Sequence, residues 1–438
     1  MSFRIKIFIY VFFGAIVVLA LLFATGVISP FQDQGISGSV VVWDVKNGNQ
    51  GVFQSFFSEY NRRFPGISVK YEVKNSETYI ADLLDAMASG KGPDIFTLDS
   101  SELLKQRNKI SPLSQGDALA AEFLASAPDA VLAGLTDSAG NIYGMPFSLD
   151  NLALYYNKDH LNAANIASPP KTWQEFQDFS RRLTRRSPTG VIQRSGASFG
   201  LGKNVDYAPD IFYTLMFQSG NEIFSQKDGR FHLADSVLIG GETTSPGVSA
   251  LTFYTDFANP NSPYYTWNST MPEARSAFAQ GRAAFYIGYA RDFQPILAEN
   301  PHLNFSVAPL PQLEISQRIS FASYRIFTVS KFSASPSVAW TVVSSIFQPT
   351  VAKPIIDSLG LPPAHRDLIS GTPPNKLFQP FYDQVLSARS WPIQDAAVTS
   401  RIVRNAMDAV INGSMRAREA LNQMQSQLQS LVDSNLTR

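Results

Sequence analysis

Two patterns of apolar residues take turns along residues 39–98, one typical of strands and the other of helices. Short β-branched or alternating runs at 39–43 (SVVVW), 67–73 (ISVKYEV) and 94–98 predict strands. Apolar residues at helical spacing predict helices over 53–64 and 78–89, and Pro65-Gly66 ends the first of them. The order strand–helix–strand–helix–strand predicts a parallel α/β sheet with right-handed crossovers.

The rest of the chain continues to mix helices and strands. Thr172 and Glu175 form a capping-box pattern that starts a helix predicted to run to about 186, and its arginines at 181, 182, 185 and 186 are typical of a solvated face. Further helices are predicted over 209–218, 249–257, 272–280, 335–347 and 395–432. Extended segments are predicted at 283–289, 307–311 and 320–329, with a hairpin or loop between 220 and 247.

The N-terminus has the pattern of a membrane anchor. Arg4 and Lys6 precede an apolar run over 7–28, about 22 residues, which is long enough to span a bilayer as a helix. The basic residues before it predict the N-terminus inside and the rest on the extracytoplasmic face. The alternative is a signal cleaved near Gly26, which would leave a periplasmic or secreted protein. Residues 29–38 are interpreted as a linker.

Composition excludes several classes of function. The 438 residues carry 36 basic and 36 acidic side chains, so the sequence lacks the electrostatic footprint of a nucleic-acid-binding protein. No cysteine is present, which excludes disulfides, thiolate metal sites and lipid attachment at cysteine. The four histidines show no metal-binding spacing, and no phosphate or dinucleotide loop occurs. We therefore expect no metal and no cofactor.

Polar residues that follow predicted strands are the first candidates for a binding site. Ligands of open α/β sheets lie beyond the carboxyl ends of the strands. Trp43 and Asp44 end the first strand, and Asp99 follows the third. Asp99 could instead cap the helix after it, or do both, and Trp43 could belong to the core.

Five segments, in this order, resemble one known family. They are GKGPD (90–94), YGMP (143–146) with the apolar run that follows at 152–159, PPKTWQEF (169–176), FAQGRAAFYIG (278–288) and NFSVAPLP (304–311). Together they resemble the extracellular solute-binding proteins of ABC importers, the branch that includes maltose- and other sugar-binding proteins. The resemblance covers most of residues 39–435.

The resemblance implies a periplasmic-binding-protein fold of two hinged α/β lobes, with three crossovers and ligand in the cleft between the lobes. After the anchor and linker (1–38), the first lobe would comprise 39–147 and 283–329. The second lobe would comprise 148–282 and 330–438, including the C-terminal helices. Closure of the lobes on a ligand that touches both would be driven by its higher affinity for the closed state.

The same resemblance implies where the ligand-binding residues lie. The candidates are Trp43, Asp44, Asp99, Asp150, Tyr289, Arg291, Tyr324, Arg325, Trp267 and Trp391. Carboxylates would accept hydrogen bonds from sugar hydroxyls, and aromatic rings would stack on sugar faces. Packing in the core or hinge is the alternative for each aromatic residue, and it is favoured for Trp267, Trp391 and Tyr324.

The implied function is capture of a solute, with a carbohydrate favoured, and its delivery to ABC permease subunits by a monomeric protein with no catalytic residue. One alternative is a bilobed sensor that signals through a membrane receptor. A remote alternative is a secreted hydrolase, because Gly196-Ala197-Ser198-Phe199-Gly200 matches the nucleophile elbow. The flanking residues fit neither the strand nor the helix that this elbow needs.

Overall fold

The structure is a computed structural model that describes residues 36–46, 50–225, 227–239, 242–314 and 318–436. The expected membrane anchor at 7–28 lies outside these ranges. Within them, no helix combines the length and the apolar character needed to cross a bilayer.

Strands and helices alternate along most of the described chain. The strands are β1 (Gly38–Val45), β2 (Ile67–Lys74), β3 (Ile95–Asp99), β4 (Asp150–Asn151), β5 (Ala153–Asn157), β6 (Arg185–Arg186), β7 (Ile192–Ala197), β8 (Phe224–Ser225), β9 (Arg230–Phe231), β10 (Val237–Ile239), β11 (Glu242–Thr244), β12 (Ala283–Gly288), β13 (Phe305–Ala308), β14 (Ser320–Ser323), β15 (Arg325–Val329) and β16 (Ala388–Arg389).

The helices surround the sheets formed by these strands. They are α1 (Gln50–Arg63), α2 (Tyr79–Ala88), α3 (Leu103–Gln106), α4 (Ala118–Ser126), α5 (Asp129–Leu135), α6 (Lys158–Ala163), α7 (Trp173–Leu183), α8 (Ala208–Gln218), α9 (Pro246–Asp256), α10 (Ala274–Ala279), α11 (Phe293–Glu299), α12 (Pro336–Phe347), α13 (Pro349–Leu359), α14 (Arg366–Ile369), α15 (Gln379–Gln384), α16 (Ala396–Ile411) and α17 (Ala417–Leu436).

The first lobe is built on a sheet whose described strands have the order β15-β3-β1-β2. β1 pairs in parallel with both β2 and β3, as the sequence pattern predicts, and β15 runs antiparallel to β3. Phe53, Phe147 and Phe327 meet in an aromatic cluster under this sheet, with ring centres 5.1 to 6.3 Å apart. The parallel pairing brings the ends of β1 and β3 to one edge of the sheet.

The second lobe is built on a sheet with the order β13-β5-β12-β7-β6. β12 runs parallel to β7 and antiparallel to β5. α7 covers this sheet through Trp173 and Phe176, which pack against Phe199. The C-terminal helices α16 and α17 pack on α8 and α9 and so belong to this lobe.

A third, small sheet joins the lobes. Its described strands have the order β16-β14-β4, and β14 pairs with β4 on one side and with β16 on the other. Each of the three strands belongs to a segment that passes between the lobes. The crossovers therefore lie side by side and form a hinge.

The sheets correct part of the expected lobe boundaries. The segment 283–308 was expected in the first lobe, but β12 and β13 pair with β5 in the second. The predicted extended segment 320–329 breaks at Tyr324, so that β14 lies in the hinge and β15 in the first lobe. α12 packs on β15 and β1, and α13 packs on α1, so both belong to the first lobe rather than the second. These non-local pairings leave no trace in local periodicity.

Two predicted helices were too long. α7 ends at Leu183, because the Thr184 hydroxyl donates to the Ser180 carbonyl and accepts from the Gly196 amide, and the chain then enters β6. The predicted helix 395–432 is interrupted after Ile411, where Gly413 adopts φ +74°, a backbone conformation that glycine tolerates readily.

Candidate functional site

Asp44 lies almost fully buried at the end of β1, with 2% of its surface exposed. Its carboxylate accepts hydrogen bonds from the Tyr71 hydroxyl (2.8 Å) and the Thr97 hydroxyl (2.7 Å), and Arg325 lies 3.4 Å away. Burial, and then the adjacent Asp44 carboxylate, raise the pKa of Tyr71 well above its usual value. Asp44 is therefore occupied by protein donors and positions Arg325 at the edge of the first lobe.

Asp99 and Trp43 are the more accessible groups at this edge. The Asp99 side chain is 63% exposed and lies 3.8 Å from the Arg325 guanidinium. It occupies an N-cap position but makes no capping hydrogen bond with the described backbone. The half-buried Trp43 ring carries the Lys74 ammonium 3.8 Å above its centre. Of the two acids at this edge, Asp99 is thus the exposed one and Asp44 the buried one.

Asp150 is a hinge residue. Its carboxylate accepts hydrogen bonds from the amides of Ala290 (2.8 Å), Arg291 (3.2 Å) and its neighbour Asn151 (2.9 Å), which ties β4 to the turn after β12. The Arg291 guanidinium lies 3.6 Å away, yet burial dominates and raises the pKa of Asp150 to about 6. The Asp150 carboxylate is therefore occupied by protein donors within the hinge.

Tyr289 and Arg291 follow β12, beside the hinge. The guanidinium lies 3.9 Å above the centre of the Tyr289 ring and donates to the Ser323 hydroxyl of the hinge. The Tyr289 hydroxyl donates to Asp210 at 2.8 Å, and its ring meets Tyr207 edge to face. Arg291 keeps an exposed face, whereas Tyr289 is fully buried.

Between the lobes lies a cavity of about 180 Å³. Ser101 lines it from the first lobe, and Tyr207, Asp210, Tyr213 and Arg404 line it from the second. Burial raises the pKa of Asp210. Hydroxyls, a carboxylate and aromatic rings therefore line one partly open cavity, the combination expected of a site for a small polar ligand.

Arg404 supports this cavity from α16. Its guanidinium donates to the backbone carbonyls of Gly202, Val205 (3.1 Å) and Asp206 (2.7 Å), and to the Ser400 hydroxyl (3.1 Å). Most of its hydrogen-bonding capacity is used to hold the loop that precedes α8.

An ion pair joins the lobes beside the cavity. Lys105 on α3 lies 2.7 Å from Asp395, and Asp395 also caps α16 by accepting from the Val398 amide. This contact links the first lobe directly to the C-terminal helices of the second.

Three of the expected ligand contacts are buried in packing. Trp267 is fully buried and donates to Asn204 at 2.8 Å. The Tyr324 hydroxyl points to the Ala130 carbonyl at 3.4 Å. Trp391 is 7% exposed and packs edge to face on Tyr213. These placements agree with the core or hinge alternative for Trp267 and Tyr324, while Trp391 adjoins the cavity through Tyr213.

The nucleophile-elbow match is explained by packing. The Ser198 hydroxyl is buried and donates to the Phe285 carbonyl at 3.1 Å. A Cβ at Gly196 would lie 1.8 Å from the Ser180 carbonyl oxygen of α7, so glycine is needed for the helix to approach the sheet. In the described ranges, no group of three histidine, aspartate or glutamate side chains could hold a metal ion.

The sequence analysis did not predict the second-lobe residues that line the cavity. Tyr207, Asp210 and Tyr213 come from the start of α8, and Arg404 comes from α16 nearly two hundred positions later. The segment DYAPD at 206–210, two carboxylates around a helix-starting proline, was the available signal. Nothing in the local pattern around Arg404 indicates that it reaches the cleft.

Comparison with known proteins agrees with this architecture. The family model described as bacterial extracellular solute-binding protein matches residues 47–353. The galactooligosaccharide-binding protein of Bacillus subtilis is 24% identical over 317 residues, which cover 68% of this chain and 66% of that protein.

A second relative and a solved structure extend the comparison. A protein of Brucella abortus named as a binding protein is 24% identical over 314 residues, 67% of this chain and 68% of that protein. The sugar-binding protein MalE of Xanthomonas citri superposes with a TM-score of 0.75 at 18% identity, over 91% of this chain and 98% of that one. The matched family model, two α/β lobes and a hinge of three crossovers together show that this chain belongs to the bacterial extracellular solute-binding protein family.

Proposed function

We propose that this protein binds a sugar or short oligosaccharide between its lobes and delivers it to an ABC permease. The observation that carries the proposal is the interlobe cavity, where Ser101, Tyr207, Asp210 and Tyr213 combine hydroxyls, a carboxylate and aromatic rings. Sugars offer both hydroxyls and apolar ring faces to such a surface. The names of two similar proteins, the galactooligosaccharide-binding protein of Bacillus subtilis and the sugar-binding protein MalE of Xanthomonas citri, point to the same class.

Binding would proceed by closure about the three-stranded hinge. A ligand held by Ser101 on one lobe and by Tyr207 and Asp210 on the other makes its full set of contacts only when the lobes are closed. Its differential affinity then shifts the population towards the closed state, which a permease can recognise. The Lys105–Asp395 ion pair adds a ligand-independent contribution to closure.

We assign the expected site residues to two roles. Asp99, Trp43, Arg291 and Arg325 are proposed to face the ligand or the cleft solvent, because each keeps an accessible polar or aromatic surface. Asp44, Asp150 and Tyr289 act as positioning residues, because protein donors and acceptors already occupy their polar atoms.

We propose that the protein acts on the extracytoplasmic face as a monomer without catalytic activity. The family description supports the extracellular location. The basic and apolar pattern of residues 4–28 supports anchoring by an N-terminal helix with the N-terminus inside. The buried, hydrogen-bonded state of Ser198 supports a binding role over hydrolysis.

Thermal shift against sugars, oligosaccharides, polyols, amino acids and peptides tests the proposal. A ligand at 100 times its Kd stabilises the folded state by about 2.7 kcal/mol, which raises Tm by several degrees. A response confined to sugars is the expected result, and a response confined to amino acids or peptides would reject the proposed class. Co-purification with the permease then separates delivery from sensing.

A further inference from the structure

The first-lobe sheet has one edge at the opposite end of its strands from Asp44 and Asp99. β1, β2 and β3 run parallel, so their first residues share this edge. β15 runs the other way and ends there, where Val329 pairs with Ile95. The basal edge is our name for the residues that lie here, namely 36–38, 62–66, 91–94, 109 and 331–335.

Backbone hydrogen bonds hold the turns of the basal edge side by side. The Lys331 amide donates to the Lys109 carbonyl at 2.8 Å, and the Gly38 amide donates to the Gly66 carbonyl at 3.0 Å. Because β3 lies between β15 and β1, the ends of those two strands are about 10 Å apart. The side chains of these turns therefore belong to one surface.

Four basic side chains of the basal edge have no acidic partner. Arg63, Lys91 and Lys331 are exposed and Lys109 is half-buried, and none of the four forms an ion pair with a described acid. The whole chain carries 36 basic and 36 acidic residues, so these four residues form a local excess of positive charge.

The acids near the basal edge offset little of this charge. The Asp94 carboxylate accepts from the Ser333 hydroxyl at 2.6 Å and from a β1 amide at 2.9 Å. Glu59, one turn before the end of α1, pairs with Arg62. Asp85, on the last turn of α2, is exposed and offsets one of the four positive charges, so an excess of three remains.

Phe332 adds an apolar group to this charged surface. About 60% of its surface is exposed, and it is the one exposed aromatic residue in the part of the chain that the structure describes. It directly follows Lys331 in the turn after β15. An aromatic ring beside basic groups is typical of surfaces that lie at the level of lipid headgroups.

The basal edge also contains the residue from which the chain leads back to the proposed anchor. Ile36 precedes β1, whose first residue lies between the turns that begin β2 and β3. The anchor pattern ends at residue 28, and the seven residues 29–35 can span at most about 25 Å. An anchor in the bilayer would therefore keep the basal edge close to the lipid headgroups.

We propose that the basal edge docks on anionic lipid headgroups of the membrane, with Phe332 at the level of the headgroups and the four basic side chains around it. This inference rests on the proposed N-terminal anchoring and adds an orientation to it. The strand ends that carry Asp44 and Asp99 then point away from the bilayer while the protein is docked. Basic side chains close to an anionic membrane are attracted to it within about one Debye length.

A spin label beside Phe332 tests the inference in the full-length protein. The sequence has no cysteine, so Ala334→Cys gives a single label in the basal edge, and Ala163→Cys gives an exposed reference label on α6 of the second lobe. Each labelled protein is reconstituted in vesicles of phosphatidylcholine with or without phosphatidylglycerol. We expect the label at 334 to be shielded from a water-soluble nickel relaxation agent only with phosphatidylglycerol, and the label at 163 to stay accessible in both.

A charge variant tests the basic residues themselves. Each basic residue near an anionic surface favours binding about fivefold, so we expect at least a tenfold loss in the docking equilibrium when three are neutralised. The variant combines Lys91→Gln, Lys109→Gln and Lys331→Gln. The control removes the same charge from the surface of the second lobe and should leave docking unchanged; it combines Arg181→Gln, Arg185→Gln and Lys227→Gln.

The outcomes separate this inference from the proposed anchoring. If the protein resists extraction from the vesicles by alkaline carbonate but the label at 334 stays accessible to nickel in both lipid mixtures, docking is wrong and anchoring stands. If this label is shielded equally in both mixtures, the basal edge has another occupant, such as a second copy of the chain, and the inference is again wrong. If alkaline carbonate extracts the protein, the proposed anchoring itself fails, and the inference fails with it.

Discussion

The carboxylates of Asp44 and Asp150 are almost fully buried, and each is surrounded by hydrogen-bond donors from the protein. Burying a carboxylate is unfavourable unless such donors and a nearby cation compensate for the lost hydration. The nearby cation is the guanidinium of Arg325 for Asp44 and that of Arg291 for Asp150. At the scale of the residue, we therefore expect these acids to stabilise the protein around the cleft rather than to contact ligand.

Asp44→Asn should destabilise the protein, because the new amide N–H₂ would face hydroxyl and guanidinium donors in place of an acceptor. We expect the free energy of unfolding to fall by about 3 kcal/mol. Urea unfolding measures this change. Asp99→Asn is the control on the same edge of the sheet, and its exposed side chain predicts a change within about 0.5 kcal/mol. Equal effects from both variants would contradict the assigned role of Asp44.

Asp150 should give a pH dependence of stability. Because its pKa is raised from 3.8 to about 6, the folded state binds the proton more tightly than the unfolded state does. Its contribution therefore increases stability as the pH falls from about 6 to about 4, by up to about 3 kcal/mol. Urea unfolding at a series of pH values measures the slope. Asp150→Asn should flatten the dependence of the unfolding free energy on pH over this interval. An unchanged slope would mean that other acids cause the pH dependence.

At the scale of the element, local signals account for where many helices begin. The Thr172 hydroxyl accepts from the Glu175 amide, while the Glu175 carboxylate accepts from the Lys171 amide, one residue before the cap. The first three strands and their intervening helices also appear where alternating and helical periodicity predict them. The ends of α7 and α16 were missed, because tertiary hydrogen bonds and a glycine turn determine them.

The Thr172 cap should contribute measurably to stability. Thr172→Ala leaves the Glu175 amide without its acceptor at the start of α7, and we expect a loss of about 1 kcal/mol in urea unfolding. Thr172→Ser keeps the hydroxyl and should recover most of this loss. A deficit in Thr172→Ser as large as in Thr172→Ala would mean that the threonine methyl group, rather than the cap, carries the effect.

At the scale of the whole molecule, the proposed function depends on movement of the two lobes about three adjacent crossover strands. The lobes touch through the Lys105–Asp395 ion pair beside the cavity. An exposed pair of this kind contributes modestly to stability, but it exists only when the lobes are close together. We therefore expect it to bias the balance between open and closed states before any ligand binds.

Lys105→Met should shift the ligand-free protein towards the open state and weaken ligand binding about two- to fivefold. Distances between one spin label on each lobe report the shift, and titration calorimetry reports the affinity. Lys353→Met removes a lysine that pairs with Asp357 within α13 and should change neither quantity. An unchanged distance distribution in Lys105→Met would show that the ion pair does not govern closure.

The sequence by itself determined the α/β class, the first three strands with their helices, and membership of a two-lobed family, because periodicity, caps and short motifs are local properties. Only the tertiary structure decided which lobe holds β12, β13 and β15, because sheet pairing joins segments far apart in the chain. It also separated exposed Asp99 from buried Asp44 and Asp150, and it brought Tyr213 and Arg404 to one cavity. Burial and hydrogen-bond partners are set by residues distant in sequence, so aspartates that follow strands in the same way can end up exposed, as Asp99 is, or buried, as Asp44 is.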